Sequence, residues 1–192
     1  MAHPTDLPIV PFASQQDWED WLDGNCEQAP GLWLQIAKKA SGIASVTYDE
    51  ALEVALCFGW IDGLKKSYDE RFFIQRFTPR RPRSKWSQRN VGIVERLTKQ
   101  KKMRPAGLRE VAAAKADGRW AAAYSGPKDA EPHPDFLAAL EKSPPAKRFF
   151  ESMTKRNQFM IYFRIHDAKR EETRLRRIEQ LVAVLREGKT PS

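Results

Sequence analysis

Arg80, Arg81, Arg83 and Lys85 crowd into six residues and run directly into Trp86 and Ser87. Forked guanidinium donors beside a serine-capped helix start, with its exposed backbone N–H groups and positive dipole end, are what an anion site needs. Trp86 adds a ring compatible with stacking on a base. Like charges packed this closely repel, and an anion held between them relieves the repulsion. Arg80, Arg81, Arg83, Lys85, Trp86 and Ser87 are therefore the expected anion- or partner-binding group. A second group forms around Asp62, a carboxylate that follows Trp60 and Ile61. If that carboxylate is partly buried it needs a donor, which Lys38, Lys39 or Arg80 can supply. Lys38, Tyr48 and Asp62 make the candidate pocket, although such a pairing serves structure as readily as chemistry.

The remaining reactive residue types offer less. Cys57 stands near the C-terminus of an expected helix, where the dipole disfavours a thiolate, and Cys26 has no partner at ligand spacing. His3, His133 and His166 lie far apart, and the latter two read as core or capping residues. No glycine loop able to cradle phosphate and no glycine-flanked nucleophilic serine is present. No catalytic residue, metal or cofactor is assigned.

Strands and helices must position these groups. Leu32, Leu34 and Ile36 alternate with Trp33, Gln35 and Ala37, as in a strand. Thr47 and Glu50 form a capping box opening an apolar helix that stops at Gly59. Segments 60–66 and 71–77 read as a hairpin, followed by a proline-punctuated loop at Thr78–Arg83. Ser84 or Ser87 caps the next helix, with Asn90, Ile93, Val94 and Leu97 at helical spacing. Pro105 opens another, whose apolar stripe is Leu108, Val111 and Ala112. Beyond the turn-rich stretch Ser125–Pro132 the pattern is helical throughout. The expected fold is α+β: a small antiparallel sheet with packed helices over residues 1–125, then an all-helical module over 132–192.

Charge is unevenly spread. From Lys65 to Arg104 there are 14 Lys/Arg and 3 Asp/Glu, a local +11 against +8 for the chain; the rest sums to −3. Concentrated positive charge points to an anionic ligand, an acidic protein or nucleic acid, while a solvated basic helix face gives the same count. No apolar run reaches membrane-span length, Met1–Pro11 lacks a secretory h-region, and two cysteines suit a reducing compartment. The expected location is the cytoplasm.

Several of these stretches are distinctive as strings. The run Tyr48–Gly63, the run Phe77–Ser87, and Gly118-Arg119-Trp120 resemble the bacterial YdeI/OmpD-associated family, labelled bacteriocin-protection proteins. Ala146–Phe150, Phe159–Ala168 and Glu172–Ile178 look like that family's C-terminal helical module. The resemblance implies tolerance of bacteriocins or antimicrobial peptides and association with an outer-membrane porin, with no reaction or catalytic residue set attached. The leading expectation is thus a non-enzymatic accessory protein with a stress or peptide-tolerance role, acting through an anionic ligand or partner. The alternatives are a nucleic-acid-binding module using the Lys65–Arg104 surface and an enzyme with a pocket at Asp62.

Overall fold

The computed structural model describes residues 7–191. They form two compact units. The first contains the chain up to Trp86 together with Asn90–Ala123; the second contains Ser87–Arg89 and the chain from Tyr124 on. Among the described residues no helix is long and apolar enough to cross a membrane.

The first unit is built on a four-stranded sheet of β1 (Ile9–Pro11), β2 (Leu32–Ala37), β3 (Trp60–Ser67) and β4 (Phe72–Pro79), in the order β1-β2-β4-β3. The β2–β4 and β4–β3 pairs are antiparallel, as expected, but β1 joins β2 in parallel, so the sheet is mixed. The physical reason is α1 (Gln15–Asn25), which returns the chain to the start of the sheet before β2 begins. β1 is only three residues long and includes Pro11, tolerable at an edge and too short to show alternation.

Both early helices start at reciprocal capping boxes, Ser14 with Asp17 for α1 and Thr47 with Glu50 for α2 (Tyr48–Cys57). The Thr47 amide and hydroxyl hold the Glu50 carboxyl below its ordinary pKa. α1 and α2 cover one sheet face, enclosing Trp18, Leu22, Leu34, Leu52, Leu56, Trp60 and Phe77. Two indole donors inside this core are satisfied: Trp18 Nε1 donates to Ala51 O at 3.1 Å and Trp60 Nε1 to Cys26 O at 3.0 Å.

Two further helices, α3 (Gln88–Lys99) and α4 (Pro105–Ala116), follow the sheet. Asn90, Val94 and Leu97 of α3 are buried, as their spacing predicts. On α4 the buried face is Gly107, Val111 and Ala114, whereas Leu108 is 45% exposed. The expected stripe Leu108–Val111–Ala112 is therefore rotated. Its place is set by Gly107, whose backbone presses so closely on the Cys57 carbonyl that a Cβ there would lie 2.2 Å from the oxygen.

The second unit contains α5 (Pro134–Glu141), α6 (Pro144–Ser152), α7 (Lys155–His166) and α8 (Glu171–Arg186). Phe136, Leu140, Phe150, Ile161, Ile165, Ile178, Leu181 and Leu185 form its core. Phe136 and Phe150 meet edge to face at 5.3 Å, and Arg174 Nε reaches Asp135 Oδ2 at 3.1 Å. An N-terminal sheet with helices followed by an all-helical C-terminal region is the architecture expected from the sequence.

Candidate functional site

The β4–α3 loop, residues 80–87, divides the expected anion group into an inner and an outer part. Its first residue is anchored to the sheet, with Arg80 N donating to Gly59 O at 3.0 Å. The Arg80 side chain turns inward: the residue is 6% exposed, its Cζ sits 3.5 Å from the Trp86 ring centroid, and Nη1 donates to Lys85 O at 3.2 Å. Trp86 is 2% exposed and lies 4.9 Å from Trp120, over which Lys115 Nζ is placed at 5.3 Å. A desolvated cation on an indole face is worth about 2 kcal/mol or more. Arg80 and Trp86 thus hold the loop in shape, and Trp86 presents no open face to a base.

The turn between them is fixed by hydrogen bonds. Ser84 N donates to Arg81 O at 2.9 Å, Arg81 N donates to Ser84 Oγ at 3.0 Å, and Arg119 Nη1 donates to Ser84 O at 2.8 Å. Ser84 therefore closes this turn, and Ser87, immediately before α3, is half-buried and bridged to Tyr124. Arg83 has φ 67°, a left-handed conformation costing a side-chain-bearing residue roughly 1–2 kcal/mol. The outcome is a fixed loop from which Arg81, Arg83 and Lys85 project into solvent. Arg81 and Arg83 have no carboxylate within ion-pair distance among the described residues.

Comparison with known families decides where the chain belongs. A family model described as a domain of unknown function (DUF8412) matches residues 10–110, more than half of the chain. The chain belongs to that family. Residues 129–188 match a second model, described as Bacteriocin-protection, YdeI or OmpD-Associated. The second match covers α5 to α8, and the motifs Tyr48–Gly63 and Phe77–Ser87 fall within the first. Neither the curated proteins nor the solved structures give a match.

Within the DUF8412 span, the donor to Asp62 is Tyr48, whose hydroxyl reaches Oδ2 at 2.8 Å from the first residue of α2. This corrects the assignment to Lys38, Lys39 or Arg80. Lys38 Nζ instead donates to Asp69 O at 2.7 Å at the β3–β4 turn, and Arg80 is committed to Trp86. The structure joins Tyr48 to Asp62 and leaves Lys38 elsewhere, because Lys38 follows the end of β2 and faces the hairpin tip.

A cavity of about 220 Å³ that the sequence did not reveal lies beside Cys57, between Glu19, Glu53, Lys101, Lys102 and Arg104. Arg104 pairs with Glu19 at 2.9 Å and Arg96 with Glu53 at 2.6 Å. Burial, then the Glu19 carboxylate, push the Cys57 thiol up to about 11, and burial likewise raises Cys26. Both are free thiols held against ionisation. A raised folded pKa favours the protonated native state, so the stability due to Cys57 is present below about pH 9 and lost as pH climbs through 11. Wild type should lose about 2–3 kcal/mol more than Cys57→Ala across that window, measured by urea denaturation at stepped pH. Parallel pH profiles would show that Cys57 is not so buried.

The second unit carries an apolar groove of about 840 Å³ that includes Ala139, Pro144, Leu175, Ile178 and Val182. Leu175 on α8, which lines this groove, is 43% exposed. His133 caps α5, accepting from Asp135 N at 3.2 Å, while His166 is exposed and stacks on Tyr162 at 5.4 Å instead of entering the core. Among the described residues no group of His, Cys, Asp and Glu is placed to hold a metal ion; His3 lies outside them.

Proposed function

We propose that this chain is a non-enzymatic cytoplasmic binding protein that engages an anionic ligand or acidic partner through Arg81, Arg83 and Lys85. The observation that carries the reading is the β4–α3 loop, where three exposed cations are held on a rigid turn by the internal Arg80–Trp86 stack. A fixed turn spares part of the ordering cost of binding. The bacteriocin-protection description of the family model matched by residues 129–188 supports a stress or antimicrobial-peptide tolerance role. That role is indirect, since the exposed Arg81, Arg83 and Lys85 repel cationic peptides instead of capturing them. Two free thiols, Cys26 and Cys57, suit a reducing compartment and support the cytoplasmic assignment.

Titrations with small phosphates, duplex DNA and single-stranded RNA at low salt test the proposal. Replacing Arg81, Arg83 and Lys85 together by Ala should weaken binding roughly tenfold or more, since each charge-assisted hydrogen bond is worth about 1.5–3 kcal/mol. Thermal stability should be unchanged, because these side chains lie outside the stack. A nucleic acid spanning six phosphates would give a log K against log salt slope near −5, and a compact anion a much shallower one. If nothing binds tighter than millimolar, or the triple variant binds as wild type does, the reading fails.

A further inference from the structure

The second unit holds a cavity of about 720 Å³ whose lining residues all belong to that unit. A volume of this order is typical of small-molecule sites. Its floor is apolar: Phe163 comes from the last turn of α7, and Leu181 and Val184 from one face of α8. Tyr124 meets Phe163 edge to face at 5.0 Å and props the ring. A further wall comes from the chain after α8. Gly188 takes a left-handed φ of 67°, its N–H donates to Leu185 O at 3.0 Å, and the Lys189 N–H donates to Val184 O at 3.2 Å. This pair of bonds ends the helix in a reversal, which brings Thr190 and Pro191 to the cavity.

The polar rim is not balanced. Arg164, Arg177 and Lys189 line the cavity against Asp167 and Glu187, a net charge of +1. Lys189 Nζ donates to Glu187 Oε2 at 2.8 Å. Arg177 Nη1 donates to Arg164 O at 2.7 Å, satisfying a last-turn carbonyl of α7. The same nitrogen lies 3.7 Å from Asp167 Oδ2, beyond hydrogen-bond reach. Arg177 Nε and Nη2 donate to no described residue, and neither is sealed from solvent; the side chain is 36% exposed. Gln180, three residues further along α8, is exposed, and its amide bonds to no described residue.

We propose that this cavity binds a small monocarboxylic acid with an apolar or aromatic body, taken up as its carboxylate. The open Nε–Nη2 edge of Arg177 is the fork on which a carboxylate accepts two parallel hydrogen bonds. The Gln180 amide adds a donor beside it. The body of the ligand rests on Phe163, Leu181 and Val184, where burial of apolar surface supplies the affinity that an exposed ion pair lacks. An inorganic anion leaves that floor wet, and a neutral apolar molecule leaves the fork unused. Charge and floor together select an apolar monoanion.

The test is amide NMR on the full chain, with phenylbutyrate, its neutral analogue phenylbutanol, and acetate titrated separately at fixed pH and ionic strength. Phenylbutyrate should shift the amides of Phe163, Leu181 and Val184 saturably. Phenylbutanol should bind about tenfold more weakly, the worth of a charge-assisted hydrogen bond, and acetate should not saturate. Gln180→Glu, an isosteric change at an exposed position, places a like charge on the rim and should weaken phenylbutyrate several-fold while leaving phenylbutanol unchanged. Arg177→Gln should make acid and alcohol bind alike, with a thermal melt confirming that the variant folds. Arg81, Arg83 and Lys85 changed together to Ala should leave phenylbutyrate binding intact, which separates this cavity from the β4–α3 loop. The absence of a saturable shift, equal affinities for acid and alcohol in wild type, or phenylbutyrate binding unchanged in Gln180→Glu would overturn the proposal.

Discussion

Trp60→Ala should destabilise the first unit by about 3–5 kcal/mol, the range for large aromatics removed from a core. Trp60 is fully buried and meets Trp18 at 6.1 Å and Trp21 at 5.8 Å, both edge to face. Its indole also donates to Cys26 O, so the truncation leaves both a cavity and a carbonyl without its donor. Trp60→Phe keeps most of the volume and loses only the hydrogen bond, so it should cost much less. Urea denaturation of both variants reads the difference. A Trp60→Ala protein as stable as wild type would mean that the core does not close around this residue.

Gly107→Val should be at least as damaging. The Cβ would lie 2.2 Å from Cys57 O and 2.8 Å from Leu56 O, both backbone atoms of α2 that cannot swing aside. Only separation of α4 from α2 relieves that overlap, and the expected cost is about 3 kcal/mol or more. Gly92→Ala is the matched control, since Gly92 is also helical but has nothing within 4 Å of a Cβ. There the gain in helix propensity should raise stability by up to about 1 kcal/mol. Thermal melts of the two variants should move in opposite directions. Equal behaviour would remove the argument for close α2–α4 packing.

The +11 excess counted along the chain is a property of sequence neighbours, and folding redistributes it. Arg96 and Arg104 meet Glu53 and Glu19, which come from outside the basic segment. Arg80 goes into the interior and Arg76 onto the sheet. What remains exposed on the loop is Arg81, Arg83 and Lys85. A charge count locates the region but not the side chains that face solvent.

The sequence alone determined several features that rest on neighbours a few residues apart. The Thr47–Glu50 capping box, the alternation of Leu32 to Ala37, the helix entries at Pro105, Pro134 and Pro144, and the stop at Gly59 are each decided by local backbone chemistry. Tertiary structure alone decided which of several equivalent local choices was used. Asp62 could take any nearby donor, and the packing of α2 beside β3 selected Tyr48. α4 could bury Leu108, but a glycine permits the closest backbone approach, so the helix turned on Gly107. Arg80 and Arg81 are identical in type and adjacent in the chain. Only the position of Trp86, brought back by the turn at Ser84, sends one inward and the other to solvent. Such choices depend on contacts between residues remote in sequence or on the path of a loop, and no local periodicity encodes either.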